Sequence, residues 1–206
     1  MPAIEESGKD LKDKKVRKPK RSSVDKWKKK KWISILASPL FNQQEIGETI
    51  AEKPEKIVGR TIKVNLRNLT KEVRRSYATV FFKIKEVKGL KAYTELIGHE
   101  IPIVNIKRIL SRRVSKIESN IVLESKDNKK FKIKSVIITG KKFTKSKKTA
   151  LLKAMQLKLV SEAKQKNFEN LMQEILFNKL STIIQKESKK LGLIKRVEII
   201  KTKQLK

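Results

Sequence analysis

The sequence predicts an α+β fold: an antiparallel β-barrel-like body with C-terminal helices and a disordered basic N-terminal arm. Three observations predict it. Between Ile33 and Ile138, short segments alternate apolar and polar residues, the two-residue period of half-buried strands. After Gly140 the apolar spacing changes to three and four, the period of helices. Before Trp32 there is no apolar period at all. Strands followed by helices, rather than interleaved with them, give α+β. Many short strands with one short helix among them favour a barrel or strongly curved antiparallel sheet. The 206 residues divide into a basic arm over 1–31, a mainly β body over 32–140, and a C-terminal part over 141–206. The last is a basic linker, two helices and a last strand, all packing on the body.

The arm contains Lys12-Asp-Lys-Lys-Val-Arg-Lys-Pro-Lys-Arg21. This run has too little apolar surface to offset the entropy of ordering, and Pro19 blocks a helix. The folded part begins near Trp32, read as a core anchor that opens a strand over Ile33–Leu36, closed by Pro39. Residues 60–66 alternate, with Ile62, Val64 and Leu66 on one face after the turn at Gly59. Residues 77–87 put Val80, Phe82 and Ile84 on one face and Lys83 and Lys85 on the other. Gly89 is the hinge into a partner strand at 91–97. Pro102 suits the first turn of a helix, and Ile103, Ile106, Leu110 and Val114 form its stripe. Residues 117–124 and 131–138 flank Ser125-Lys-Asp-Asn-Lys-Lys130, whose Asp-Asn turn predicts a hairpin. Leu151, Leu152, Met155, Leu159 and Val160 mark a helix over 147–164. A second helix is predicted over 168–190, with Gly192 just past its end and a last strand at 194–200.

Charge is the dominant compositional fact. Lys and Arg number 53 against 21 Asp and Glu, a net +32. The arm carries 13 basic and 5 acidic residues, the body 22 and 11, and the C-terminal part 18 and 5. Basicity therefore runs through the whole chain rather than sitting in a tail. Self-repulsion of this size opposes compaction, so a polyanionic partner is expected. There is no Cys, which excludes disulfides, thiol nucleophiles and Cys-based metal sites. The single histidine, His99, excludes a His cage. No apolar run exceeds three residues and no secretory h-region is present, so the expectation is a cytoplasmic chain with no membrane partner.

Catalytic chemistry is hard to place. There is no nucleophile elbow and no phosphate-cradling loop ending in Gly-Lys-Ser/Thr. Glu45, Glu48, Glu52 and Glu55 step at helical spacing, but between lysine-rich neighbours they read better as a solvated acidic face than as a Mg²⁺ or acid–base pair. His99 reads as a polar residue near a strand end. The expectation is no enzyme, no metal and no cofactor.

Basic residues beside aromatic ones are the positive signal. Trp27-Lys28-Lys29-Lys30-Lys31-Trp32 allows ammonium–phosphate contacts while an indole stacks on a base, and Trp27 fits stacking and packing equally well. The arm adds Lys14, Lys15, Arg17, Lys18, Lys20 and Arg21. Arg74 and Arg75 precede a strand. Arg108, Arg112 and Arg113 give one helix a basic side, with Arg's bidentate geometry for phosphate. Lys141, Lys142, Lys145, Lys147 and Lys148 lead into a helix start, where free N–H groups attract anions and Thr144 or Ser146 can cap. Five lysines there oppose the helix dipole unless an anion binds.

The order of several short motifs carries a resemblance. Lys30-Lys-Trp-Ile-Ser-Ile-Leu-Ala-Ser-Pro-Leu-Phe-Asn42, Ile46-Gly-Glu-Thr49, Gly59-Arg60, Phe82-Lys-Ile-Lys-Glu-Val-Lys-Gly89, the 117–138 hairpin and the basic entry to helix 147–164 follow in sequence. Over residues 26–200 the chain resembles the archaeal and eukaryotic small ribosomal subunit protein three-A family, also named the eukaryote-type small-subunit protein one. The resemblance implies a structural, rRNA-binding protein with a β-barrel-like body, on the platform near the 3′ end of the small-subunit rRNA and the mRNA exit. Small-subunit rRNA, neighbouring ribosomal proteins and mRNA near its exit are the implied partners. The chain is shorter than the eukaryotic pattern, so the resemblance by itself implies nothing about contacts of the eukaryotic C-terminal extension, including those to initiation factors. Its Lys, Glu and Ile bias and lack of Cys fit an archaeal source. Another RNA- or DNA-binding protein, such as an RNA chaperone or chromatin factor, is the alternative reading.

Overall fold

The computed structural model describes residues 27–70 and 77–205. The arm residues Lys14, Lys15, Arg17, Lys18, Lys20 and Arg21, and likewise Arg74 and Arg75, lie outside the described residues. Within them run β1 (Lys31–Leu36), β2 (Glu45–Ala51), β3 (Thr61–Asn65), α1 (Leu66–Thr70), β4 (Thr79–Lys88), β5 (Lys91–Glu100) and α2 (Ile103–Ile109). There follow β6 (Lys116–Glu124), β7 (Lys130–Thr139), α3 (Lys145–Gln165), α4 (Phe168–Leu176), α5 (Lys179–Ser188) and β8 (Ile194–Gln204). The class is α+β, as predicted.

Alternation builds the two central hairpins. Val80, Phe82 and Ile84 of β4 are buried while Lys83 and Lys85 face out. Gly89, at φ 60°, turns the chain into β5 in a conformation that a Cβ penalises. Asn128, at φ 55°, does the same between β6 and β7, its N–H donating to Ser125 O at 2.9 Å.

The body is not the predicted antiparallel barrel. β5 pairs with β4 along one edge. Its other edge is shared: β1 runs parallel to it at Lys91–Tyr93, and β8 antiparallel at Gly98–Glu100. Because two strands divide one edge, the sheet branches into β1–β2 on one arm and β8–β7–β6 on the other. Among the described residues no pairing joins β2, β3 or β6 to another outer strand, so the eight-stranded sheet is mixed and open.

Four further expectations change. Trp32 does not anchor the core: β1 buries Ile33 and Ile35, and strand alternation turns residue 32 to the opposite face, 62% exposed. Glu45 and Glu48 lie on strand β2, and Glu52 and Glu55 on the turn after it, so the acids share no helical face. The helix after Pro102 ends at Ile109. Leu110 is extended (ψ 126°) and packs beside Ile109 on Ile106, Val136, Ile138 and Ile200, leaving Ile103 exposed. The single helix predicted over 168–190 breaks at Asn178, which adopts a left-handed φ of 62°. α4 and α5 thereby each lay an apolar face, Leu171, Met172 and Ile175 on one and Leu180 and Ile184 on the other, onto the same core.

That main core joins β3–β8 to α3, α4 and α5. Phe131 of β7 meets Phe168 of α4 edge-on, ring centroids 5.4 Å apart. Gln156 of α3 donates to Ser119 Oγ of β6 at 3.2 Å. A smaller cluster (Ile33, Ile35, Ala51, Ile57, Ile84, Ala92) lies under the β1–β2 arm. The last strand, β8, sits between β5 and β7, in the middle of the sheet.

Candidate nucleic-acid interface

The basic residues gather in places that the fold sets apart. At the start of the described chain, Trp27 to Lys29 form a turn closed by Lys30 N–H on Trp27 O at 3.0 Å. The Lys30 ammonium lies 4.1 Å from the centroid of the Trp27 ring, a cation–π contact. Lys28 to Lys31 are all exposed, and Trp27 is 64% exposed. With Trp32 outside the core, two exposed indoles flank the four-lysine run in sequence. Glu52 lies near this cluster. Lys56, hydrogen-bonded to it at 3.2 Å, holds its carboxyl below the usual range, and Lys29 and Lys53 add to the effect.

A second concentration forms where two loops meet. Arg108 is exposed in the last turn of α2, but Arg112 and Arg113 lie in the turn beyond it rather than on the helix. Arg113 is left-handed, φ 61°. Two residues on, Ser115 ties this turn to the segment after β7. Its N–H donates to Thr139 Oγ1 at 2.8 Å, and its Oγ accepts from Phe143 N–H at 3.0 Å. The Thr139 hydroxyl donates to Lys141 O at 2.6 Å. These bonds bring the segment carrying Arg112 and Arg113 against the one carrying Lys141 and Lys142, a proximity that no local pattern encodes.

The lysine-rich linker is also shorter than predicted. α3 starts at Lys145, so Lys145, Lys147 and Lys148 belong to its first turn, and only residues 140–144 connect β7 to it. Phe143 is buried, which pins the connection at its centre. Thr144 holds the N-cap position with extended backbone (ψ 161°), yet neither it nor Ser146 makes a side-chain cap bond. The start of α3 therefore has no side-chain cap, and its first turn carries exposed Lys145 and Lys147 and half-buried Lys148. A helix N-terminus ringed by lysines suits an anion and opposes any local cation.

Sequence reasoning missed a further group. Lys132 and Lys134 on β7 and Lys201 and Lys203 on β8 are brought directly opposite one another by the strand register. The sequence signal is only a lysine at every second position.

Other chemistries find little support in the geometry. His99 is buried, with Nδ1 2.7 Å from Thr202 Oγ1 and Nε2 3.0 Å from Ile199 O, so its ring bridges β5 and β8. Among the described residues no three His, Asp or Glu side chains group as metal ligands, and no helix is long and apolar enough to cross a membrane.

A model of the Ribosomal S3Ae family matches residues 18–206. The chain belongs to this family. Archaeal relatives are similar along nearly its whole length. A small ribosomal subunit protein eS1 of Methanothermobacter thermautotrophicus is 32% identical over 90% of this chain and 95% of its own. That of Archaeoglobus fulgidus is 35% identical over 88% and 87%, and that of Staphylothermus marinus 32% over 88% and 85%. The Ribosomal S3Ae family is one of ribosomal proteins, structural constituents and not enzymes. A scaffold role matches a surface whose conspicuous feature is exposed cationic charge rather than a constellation of reactive groups.

Proposed function

We propose that this chain is a structural constituent of the small ribosomal subunit that binds rRNA in the cytoplasm, near the platform and the mRNA exit. Neighbouring ribosomal proteins, and mRNA where it leaves, are its further partners. The observation that carries this reading is similarity to proteins named small ribosomal subunit protein eS1 over about nine-tenths of the chain. The charge supports it independently. A net +32 needs a polyanion beside it, and structured RNA supplies one. We assign the rRNA contacts to Trp27 and Lys28 to Lys31, to Arg108, Arg112 and Arg113, and to Lys141, Lys142, Lys145, Lys147 and Lys148. From sequence alone, Lys14, Lys15, Arg17, Lys18, Lys20, Arg21, Arg74 and Arg75 join them. Lysine acts as a point charge and arginine as a fork, so the set positions the protein on phosphates without reading bases.

The test is co-sedimentation. Tagged chain expressed in an archaeal host should run with the small subunit and stay there through a high-salt wash. Recovery in free or chromatin fractions, or release at low salt, would sink the ribosomal reading. Cross-linking in the intact subunit then tests the location: adducts should fall near the 3′ end of the small-subunit rRNA.

A further inference from the structure

We infer that the open face of the sheet, on the side away from α3, α4 and α5, is a distinct RNA site. It takes one unpaired strand, with phosphates on Lys132, Lys134, Lys201 and Lys203 and a base against Phe81. The inference rests on the reading that the chain binds RNA.

The register lines up one row across six strands: Lys63, Phe81, Gly98, Lys203, Lys132 and Val122. Beside it run Asn65, Thr79, Glu100, Lys201, Lys134 and Asn120. The alternate residues Phe131 and Ile133 of β7 enter the main core, and Thr202, between Lys201 and Lys203, is buried with its hydroxyl 3.3 Å from Met172 Sδ of α4, so both rows face away from the helices. α2 covers the adjoining part of this face, over Val136, Ile138 and Ile200, and stops short of the lysines. Two concave spaces of about 350 and 250 Å³ share Lys201 and Lys203 as walls, and Phe81 and Lys63 line the larger.

Three features set this face apart from an ordinary solvated one. First, Lys132 stands opposite Lys203 and Lys134 opposite Lys201. Like charges directly across a pair destabilise a sheet, and a solvated face relieves this by alternating signs. Second, carboxylates compensate only part of the charge. Lys134 reaches Glu118 at 3.4 Å and Lys201 reaches Glu100 at 3.1 Å, while Lys63, Lys132 and Lys203 form no ion pair among the described residues. Third, apolar surface is interleaved with the cations. Val122 is 56% exposed, and Phe81 is half-buried with the Lys63 ammonium 5.7 Å from its ring centroid. Gly98 carries no side chain between Phe81 and Lys203, so the ring borders the groove directly. Lysines plus an aromatic on a bare sheet form the platform on which unpaired bases stack while phosphates are neutralised. A duplex keeps its bases stacked inside the helix and offers the ring no partner, so it is expected to bind through the chain's other basic clusters.

The full chain is titrated with an oligouridylate of about 12 nucleotides, within the range of sheet-based single-strand sites, and with a duplex RNA, across a salt series. The variant Lys132→Gln, Lys134→Gln, Lys201→Gln, Lys203→Gln should lose about tenfold or more for the oligouridylate. Its slope of log K against log salt should shrink by about 0.7 for each phosphate that is no longer neutralised. Duplex binding should hold to within about twofold. Phe81→Leu should weaken oligouridylate binding while leaving the salt slope unchanged. Thermal unfolding of the quadruple variant should match or exceed wild type, since opposed charges are removed. If it unfolds, Lys132→Gln and Lys203→Gln alone, which break no ion pair, carry the same test with smaller losses. Equal loss of both RNAs, unchanged oligouridylate binding, or loss of an acidic protein partner instead would each overturn the site. Wild type that binds duplex but not the oligouridylate overturns the site and spares the ribosomal reading. Wild type that binds neither defeats both.

Discussion

Gly98 stands where β4, β5 and β8 meet, opposite Phe81 on one side and Lys203 on the other. A Cβ there would run into the carbonyl oxygen of Thr202, a backbone atom that no rotamer change can move. Gly98→Ala should therefore lower stability by about 1–3 kcal/mol, in the range of overpacking substitutions, read as a drop in the thermal midpoint. An unchanged midpoint would show that β8 can shift to make room. His99, next along, shows why closeness matters here. Ile199 O can only accept, so Nε2 carries the hydrogen, and Nδ1 accepts from the Thr202 hydroxyl when the ring is neutral. The histidine thus holds β5 to β8, where the sequence marks only a polar residue near a strand end. Asn178 is another residue whose identity is set by backbone. Its left-handed φ of 62° penalises most side chains, so Asn178→Ala should cost about 1–2 kcal/mol. Asn178→Gly should be close to neutral. Equal urea midpoints for the two variants would contradict a conformational origin.

The three C-terminal helices are held by charge as well as by apolar packing. Glu162 of α3 is buried and reaches Lys158 at 3.3 Å and Lys166 at 2.7 Å. Lys158 continues to Glu187 of α5 at 3.0 Å, and Lys166 to Glu174 of α4 at 2.6 Å. The hydrogen bond from Lys166 is the largest influence on Glu162. With Lys158 it holds the carboxyl below its ordinary 4.5 although burial pushes the other way. Lys158 is raised above 10.5, first by Glu187 and then by Glu162. For Lys166 burial pulls down most strongly, yet its bonds to Glu162 and Glu174 together outweigh it. A depressed carboxylate stabilises the fold above its unfolded value and loses that contribution as pH falls through the lower folded value. Raised lysines contribute fully below 10.5 and lose it as pH climbs through the higher folded value. The network is therefore complete at neutral pH and weakens first in acid. Glu162→Gln should destabilise by about 2 kcal/mol at about pH 7 and less in acid, once the pH has fallen through the lowered folded value and the wild-type carboxyl is itself protonated. An equal loss at both pH values, by urea unfolding, would refute the assignment. At this scale the sequence was legible where structure is local. The β4–β5 and β6–β7 hairpins follow from alternation plus Gly89 and Asn128. β8 was legible as a strand but not as a central one, because its pairing with β5 spans about a hundred residues and leaves no local trace. The break between α4 and α5 was hidden because the apolar period runs on through Leu176, Leu180 and Ile184; only Asn178's tolerance for φ > 0 hints at it.

Across the whole molecule, the net charge of +32 was readable at once, but its arrangement was only partly so. Contiguous runs such as Lys28 to Lys31 announce themselves. The meeting of Arg112 and Arg113 with Lys141 and Lys142 depends on Ser115, whose role appears only in three dimensions. The lysines of β7 and β8 are about 70 residues apart in sequence, and register alone sets them face to face. The junction between β7 and α3 gives the most direct test of how this charge is used. Lys141, Lys142, Lys145 and Lys147 are exposed and Lys148 half-buried, and none of the five forms an ion pair among the described residues. The anchor of the segment is Phe143, whose ring a Cβ on Gly192 would meet at 2.5 Å, so its path is set by packing rather than by the lysines. Changing all five lysines to Gln should accordingly leave the fold intact. It should even stabilise the first turn of α3 slightly, because cations beside a helix N-terminus are unfavourable. RNA binding should fall about evenly across sequences, since point charges on phosphates read no bases. The slope of log K against log salt should shrink by about 0.7 to 0.9 for each phosphate left without its lysine. Wild-type affinity in this variant would show that phosphate is held elsewhere on the chain, and a lowered thermal midpoint would show that these lysines serve the fold instead of the RNA.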